Sequence, residues 1–164
     1  MVNKNQKTSV KRGKAWLQAN PTDPSFSPET SPFFHLSRLV GLYHLRMDAH
    51  LKPIGMDVPR WRVINILHEH ECATISKIAD LAVIRVSTMT KLVYRMEREG
   101  LVVTSIAPHD GRVTEVRLTE KGRNSLDQVR AKAGLIFERA FHDIDDADLQ
   151  ALMTLTRRIY DNIY

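Results

Sequence analysis

The chain of 164 residues holds a single cysteine, Cys72, so no internal disulfide can staple it. It has no apolar run near the ~20 residues that a membrane-crossing helix needs, and its start lacks the continuous apolar core of a secretory signal. A cytoplasmic protein with no membrane partner is therefore expected. Aromatic residues make up only 7% of a chain that is 43% hydrophobic, so the core must be mainly aliphatic and large enough to fold without cross-links. Catalytic signatures are missing as well. There is no glycine-rich phosphate loop, no nucleophile elbow and no His-Glu-x-x-His zinc pair, so neither an enzyme nor a bound cofactor is expected. The charge excess is small: 24 Lys and Arg against 19 Asp and Glu give a net charge of +5. That balance favours phosphate-bearing partners but does not by itself establish one.

Proline is scarce except near the start. Lys4, Lys7, Lys11, Arg12 and Lys14 lead into Pro21, Pro24, Pro28 and Pro32, which marks residues 1–32 as a basic, proline-containing arm. Its polarity and prolines disfavour a packed core and predict a solvated segment. Trp16, Leu17 and Phe26 keep open a second possibility, docking on the body or on a partner subunit.

Over residues 33–52 Leu36, Val40, Tyr43, Met47 and Leu51 follow helical spacing, and Pro53 ends the run. Asp57 can cap a second helix carrying Trp61, Ile64, Ile66 and Leu67 and ending near His70. The segment His68-Glu69-His70-Glu71-Cys72 gathers potential ligands. His68 and Cys72 would share a face if the helix persisted, which is suitable for two ligands of a zinc site. No third ligand is near, so no metal site is assigned and a solvated helix end is the plainer reading. Cys72 as a peroxide-sensing thiol is a further alternative. Later in the chain Leu126, Val129, Ala133, Ile136, Phe137, Ala140 and Phe141 mark a long helix. Leu149, Leu152, Leu155, Ile159 and Ile163 mark another that begins at the acidic residues Asp145 and Asp148.

Residues 75–122 are the most informative. A short helix over 76–81, capped by Ser76, turns Ile78, Ala79 and Leu81 inward. After a turn, Ser87 can cap a longer helix whose Met89, Leu92, Val93 and Met96 recur at i, i+3, i+4 and i+7. Its opposite face presents Thr88, Lys91 and Arg95, with Ser87, Thr90 and Tyr94 at the margins. Hydroxyls and cations on one helix face suit the edges of base pairs and the phosphates beside them. Gly100 can end the helix in the left-handed region, residues 101–104 read as a strand, and Pro108-His109-Asp110-Gly111-Arg112 has the composition of a hairpin tip. Val113, Val116 and Leu118 return on a second strand. Arg112 on a narrow hairpin suits a minor groove, where negative potential is strongest. Helix, turn, helix and hairpin in this order predict a mainly α fold with a small β-hairpin wing, a winged helix-turn-helix joined to a helical bundle.

Over roughly residues 33–164 the chain resembles the MarR (multiple antibiotic resistance regulator) family of winged-helix transcription factors. The resemblance is carried by Ser87-Thr88-Met89-Thr90-Lys91-Leu92-Val93, by Glu97-Arg98-Glu99-Gly100-Leu101-Val102, by Asp110-Gly111-Arg112 and by Val116-Arg117-Leu118-Thr119-Glu120-Lys121-Gly122. Thr104 stands where such proteins often have arginine, and Gly111 where the wing often carries a larger residue. The two long helices after the wing exceed what the winged domain needs and one recognition helix reaches few base edges, so a dimerisation bundle, and with it a homodimer bound to a pseudo-palindromic operator in double-stranded DNA, is expected. The candidate contacts are Ser76 and Lys77 on the first short helix, Ser87, Thr88, Thr90, Lys91, Tyr94 and Arg95 on the second, and His109 and Arg112 on the wing. The resemblance implies a small anionic aromatic effector where dimer helices meet the reading head, between the first two long helices, with His35, Arg38, Tyr43, Arg60 and Trp61 as candidate ligand residues. Residues 57–122 would form the DNA-binding domain, and 33–56 with 123–164 the dimerisation region. A repressor released by an aromatic acid or its thioester is the expected function. A metal-responsive regulator and a ligand-independent architectural DNA-binding protein are the alternatives.

Overall fold

The computed structural model describes residues 12–164, so the arm lysines Lys4, Lys7 and Lys11 lie outside the described residues. Among the described residues there are seven α-helices and three strands, and no helix is long and apolar enough to cross a membrane. The chain divides into two compact units, one reaching Leu45 and one spanning Arg46–Tyr164.

In the first unit the arm is not featureless. Helix α1 (Lys14–Ala19) is followed by a 3-10 turn at Pro28–Thr30. The Thr30 hydroxyl donates to the Gln18 carbonyl at 2.6 Å and the Ser27 N–H donates to the same oxygen at 3.3 Å. Arg12 lies over the Trp16 ring, 4.2 Å from its centroid. Helix α2 (Pro32–Leu51) begins in this unit, where Phe33, Leu39, Val40, Leu42 and Leu45 are exposed, and runs into the second unit, where Met47 and Leu51 are fully buried.

The second unit carries the core. Asp57 caps helix α3 (Val58–His70) by accepting the Arg60 N–H at 2.8 Å. Glu71, at a φ of 55°, stops that helix. Cys72 therefore leaves the helix and enters strand β1 (Cys72–Thr74), so His68 and Cys72 do not share a helix face and the two-ligand zinc geometry is not formed. The Cys72 thiol donates to Glu115 at 3.5 Å. Burial pushes this thiol up and the hydrogen bond adds to the effect, the reverse of the lowered pKa that a reactive cysteine needs.

Helix α4 (Ile75–Leu81) is capped by Thr74, which accepts the Lys77 N–H at 3.1 Å, rather than by Ser76. Ile78 and Ala79 are buried as expected, but Leu81 faces solvent. Helix α5 (Val86–Arg98) starts one residue before Ser87, and Arg85 at its cap makes no side-chain bond there. Met89, Leu92, Val93 and Met96 form its buried stripe. Strands β2 (Val102–Ala107) and β3 (Asp110–Leu118) form the wing. Ala107 pairs with Asp110, so the hairpin turn is the dipeptide Pro108-His109 and Arg112 lies on β3 rather than at the tip. The sheet order is β1-β3-β2, antiparallel throughout. β1 was not anticipated, and it makes the wing part of a three-stranded sheet. Thr104 donates its N–H and its hydroxyl to Glu97 Oε1, at 2.8 and 2.6 Å, and so ties β2 to α5.

Helix α6 (Glu120–Ala140), capped by Thr119, buries Gly122, Leu126 and Val129 in its first half, whereas Leu135 and Phe137 are exposed further on. Asp145 caps helix α7 (Asp146–Ile163), which buries none of its residues and exposes Leu152, Met153, Leu155, Tyr160 and Ile163.

Candidate nucleic-acid interface

Four buried side chains on α5 fix which of its faces meets water. With Met89, Leu92, Val93 and Met96 turned inward, Ser87, Thr88, Lys91, Tyr94 and Arg95 are exposed and Thr90 is half-buried. Ser76 and Lys77 on α4 and His109 at the wing turn are exposed too. All ten proposed contacts thus have side chains open to solvent to some degree, and all belong to the second unit.

Not every donor among them is free. The Thr90 hydroxyl donates to the Val86 carbonyl at 2.8 Å. The Arg112 side chain, 91% exposed, donates from Nε and a terminal nitrogen to the Asp110 carboxylate, each at 3.2 Å. Those bonds, with the Arg112 N–H, hold the Asp110 carboxyl below its usual range. A pair so exposed is weak, so a phosphate or a groove edge can draw the guanidinium away while Asp110 keeps the strand start in shape.

A charge network joins α3 to α5. Arg60 donates from Nε to Glu99 Oε2 at 2.8 Å, from a terminal nitrogen to Glu99 Oε1 at 2.5 Å, and from the other to Asp57. Arg95 reaches the same Asp57 carboxylate at 3.8 Å. The hydrogen bond from Arg60 is the main cause of a lowered Glu99 carboxyl, against an opposing effect of burial. The network clamps the start of α3 to the end of α5, so Arg60 is committed to two carboxylates. Trp61 beside it is half-buried.

Of the other ligand candidates, His35, Arg38 and half-buried Tyr43 lie on α2 within the first unit. His35 Nε2 donates to the Glu29 carbonyl, and Arg38 lies over the Phe34 ring, 5.3 Å from its centroid. His35 and Arg38 line an open groove of about 540 Å³ with Leu39, Gly41, Leu42 and Leu45. Among the described residues no carboxylate pairs with Arg38, and no group of three or more His, Cys, Asp or Glu could hold a metal ion.

Two exposed residues at the start of α5, Arg85 and Val86, were missed by the sequence reading, which assigned them to the turn. Val86 lies three residues before Met89 and seven before Val93, a spacing that would have extended the helix to it.

A reading helix set beside a β wing, with hydroxyls and cations outward, defines a winged helix-turn-helix DNA-binding protein. The MarR family model matches residues 56–114. The HTH-type transcriptional repressor IacR of Pseudomonas putida is 38% identical over 160 residues, covering 98% of this chain and 96% of that one. The chain belongs to the MarR family of transcriptional regulators; it binds DNA and is not an enzyme. A MarR family regulator from Silicibacter pomeroyi DSS shares the fold with a TM-score of 0.77 at 23% identity, over 88% of this chain and 99% of that one. CouR from Rhodococcus jostii RHA1, solved bound to p-coumaroyl-CoA, matches with a TM-score of 0.73 and 26% identity over 81% and 94% of the two chains.

Proposed function

We propose that the protein is a homodimeric repressor that binds a pseudo-palindromic operator through residues 57–122 and is released by an aromatic carboxylate or its thioester. The observation that carries the pairing is the set of apolar side chains left in water on α2, α6 and α7, above all on α7, none of whose residues is fully buried within its own chain. Burying them against a second copy would remove that cost, and one reading helix touches too few base edges for high specificity. A symmetric dimer sets its two helices in successive major grooves about one turn (~34 Å) apart. Repression is supported by the likeness to IacR, and an aromatic thioester by the ligand of CouR.

The contacts divide by role. Arg112→Ala should weaken binding through the minor groove, whereas Thr88→Ala or Lys91→Ala should change which bases are preferred, each well-formed base contact being worth about 1–3 kcal/mol of discrimination. Binding-site selection with each variant, alongside sedimentation, is the test. A stable monomer that binds one-to-one, or unchanged preference in both α5 variants, would count against this reading.

For the effector, Arg38 is the stronger anchor because Arg60 already holds Glu99 and Asp57. A guanidinium over a ring beside apolar Leu39, Leu42 and Leu45 offers charge to a carboxylate and cover to an aromatic body. Release requires that the ligand prefer a dimer whose reading helices are spaced wrongly for DNA, and about 1.4 kcal/mol of such preference gives a tenfold loss of affinity. Titrating operator-bound protein with benzoates, cinnamates and their coenzyme A thioesters should displace the DNA, followed by fluorescence anisotropy. Arg38→Ala should bind DNA normally and lose the response; if no compound of the panel acts at millimolar concentration, the effector reading fails.

A further inference from the structure

Where α4 passes into α5, three large apolar side chains stand in water: Leu81 at the end of α4, Val83 in the turn at 73% exposure and Val86 at the start of α5 at 50%. The other large aliphatic residues of these two helices, Ile75, Ile78, Met89, Leu92, Val93 and Met96, are buried. Single exposed valines need no explanation, but this group differs in two respects. Val83 sits at a φ of 53°, in the left-handed region that a β-branched residue avoids and glycine enters freely. The left-handed turn belongs to the fold, since it ends α4 with the Ile84 N–H donating to the Ala79 carbonyl at 2.9 Å and the Val83 N–H to the Asp80 carbonyl at 3.0 Å. What the fold does not require there is an exposed valine side chain, for which glycine would be less strained. The second respect is place. Val86 opens α5 at the margin of the DNA-facing side, one turn before Thr90, whose hydroxyl proton is spent on the Val86 carbonyl. What Thr90 adds to this edge, beyond an acceptor oxygen, is a methyl group.

Exposed Lys77, Arg85, Lys91 and Arg95 belong to the same two helices and the turn between them, while Val83, Val86 and Thr90 carry no charge. An apolar edge flanked by cations is complementary to a major groove, whose rims are phosphates and whose floor carries one apolar group, the 5-methyl of thymine. We propose that Val86, with Val83 and Thr90 beside it, reads the methyl group of a thymine in each half-site. The inference rests on the DNA-reading role of the α5 face and adds to it the base that this edge selects.

Duplexes enriched by selection with the wild-type protein would be remade with each thymine in turn replaced by deoxyuridine, which removes only the methyl. At one thymine per half-site affinity should fall about fourfold, the worth of one buried methyl, and roughly fifteenfold when both half-sites are changed. Val86→Ala, which withdraws both γ-methyls, should discriminate clearly less between thymine and deoxyuridine duplexes than wild type, and Val86→Thr, which keeps a γ-methyl, should regain the preference. Melting curves would verify that both variants are folded. Wild-type protein indifferent to every replacement, or Val86→Ala as sensitive as wild type, overturns the assignment. Selection that enriches no duplex instead overturns the role of the α5 face, so the two failures are distinguishable.

Discussion

Gly122→Ala is expected to lower stability by about 3 kcal/mol, the upper end of what overpacking a core commonly costs. A Cβ at this position would lie 2.1 Å from the Leu101 carbonyl oxygen and 3.1 Å from its carbon, with Leu118 also in contact. The obstacle is backbone, and it is pinned: the Leu101 oxygen accepts the Thr119 N–H at 3.1 Å, while the Thr119 hydroxyl donates chiefly to the neighbouring Gly100 carbonyl at 2.7 Å. Relief would therefore push the first turn of α6 off the end of α5 and disturb the Thr119 cap. Gly134, in the same helix, has nothing within 4 Å of such a Cβ. Gly134→Ala should stabilise by roughly 0.5–1 kcal/mol through helix propensity. Urea denaturation of the two variants side by side reads the contrast, and equal behaviour would show that the close approach at Gly122 is not real.

The second large effect is expected at Arg60. Arg60→Ala leaves Glu99 and Asp57 without their shared guanidinium, and a charge-assisted bond of this kind is worth about 1.5–3 kcal/mol, reduced toward the lower figure because Glu99 is partly exposed. The pH dependence has a definite sign. The Glu99 carboxyl is depressed in the folded protein, so its contribution is fully present above the unfolded value and is lost as pH falls through the folded one. Wild-type protein should lose this increment in the acid range below the ordinary carboxylate value, and Arg60→Ala should show little of that loss. Urea midpoints at neutral and acid pH make the comparison. A variant with unchanged stability and an unchanged acid profile would sink the clamp. Because Arg60 also steadies the end of α5, a weakened effector response in Arg60→Ala cannot be assigned to ligand contact, which is why Arg38→Ala is the cleaner probe.

Where periodicity ran for several turns, the sequence was a good guide. The spacing of Met89, Leu92, Val93 and Met96 is enough to set the outward face of α5, and Asp57 and Asp145 are the caps of α3 and α7. Boundaries were harder at the reading head because hydroxyl residues crowd there. Thr74 and Ser76 could each cap α4, and only the end of β1 decides for Thr74. Ser87 looked like a cap, but α5 begins at Val86. Strand β1 has three residues, too few for an alternating pattern to register, and it forms because β3 offers a free edge. The Arg60–Glu99 pair spans 39 positions in the chain and has no local signature at all. The left-handed φ of Val83 was equally hidden, since a β-branched residue is the last type one would place there.

Strand β1 has a mechanical consequence. Its last residue, Thr74, pairs with Glu115 on β3 and also caps α4. The wing therefore cannot tilt on its own, because rotating β3 drags the start of α4, and α5 follows through the turn and through the Thr104–Glu97 bonds to β2. The winged unit is in effect a rigid gauge, with the distance from wing to helix preset. Such a gauge cannot stretch to fit a half-site of the wrong width. In the proposed dimer, accommodation to different operators would be made between gauges, in the number of base pairs that separate one half-site from the other.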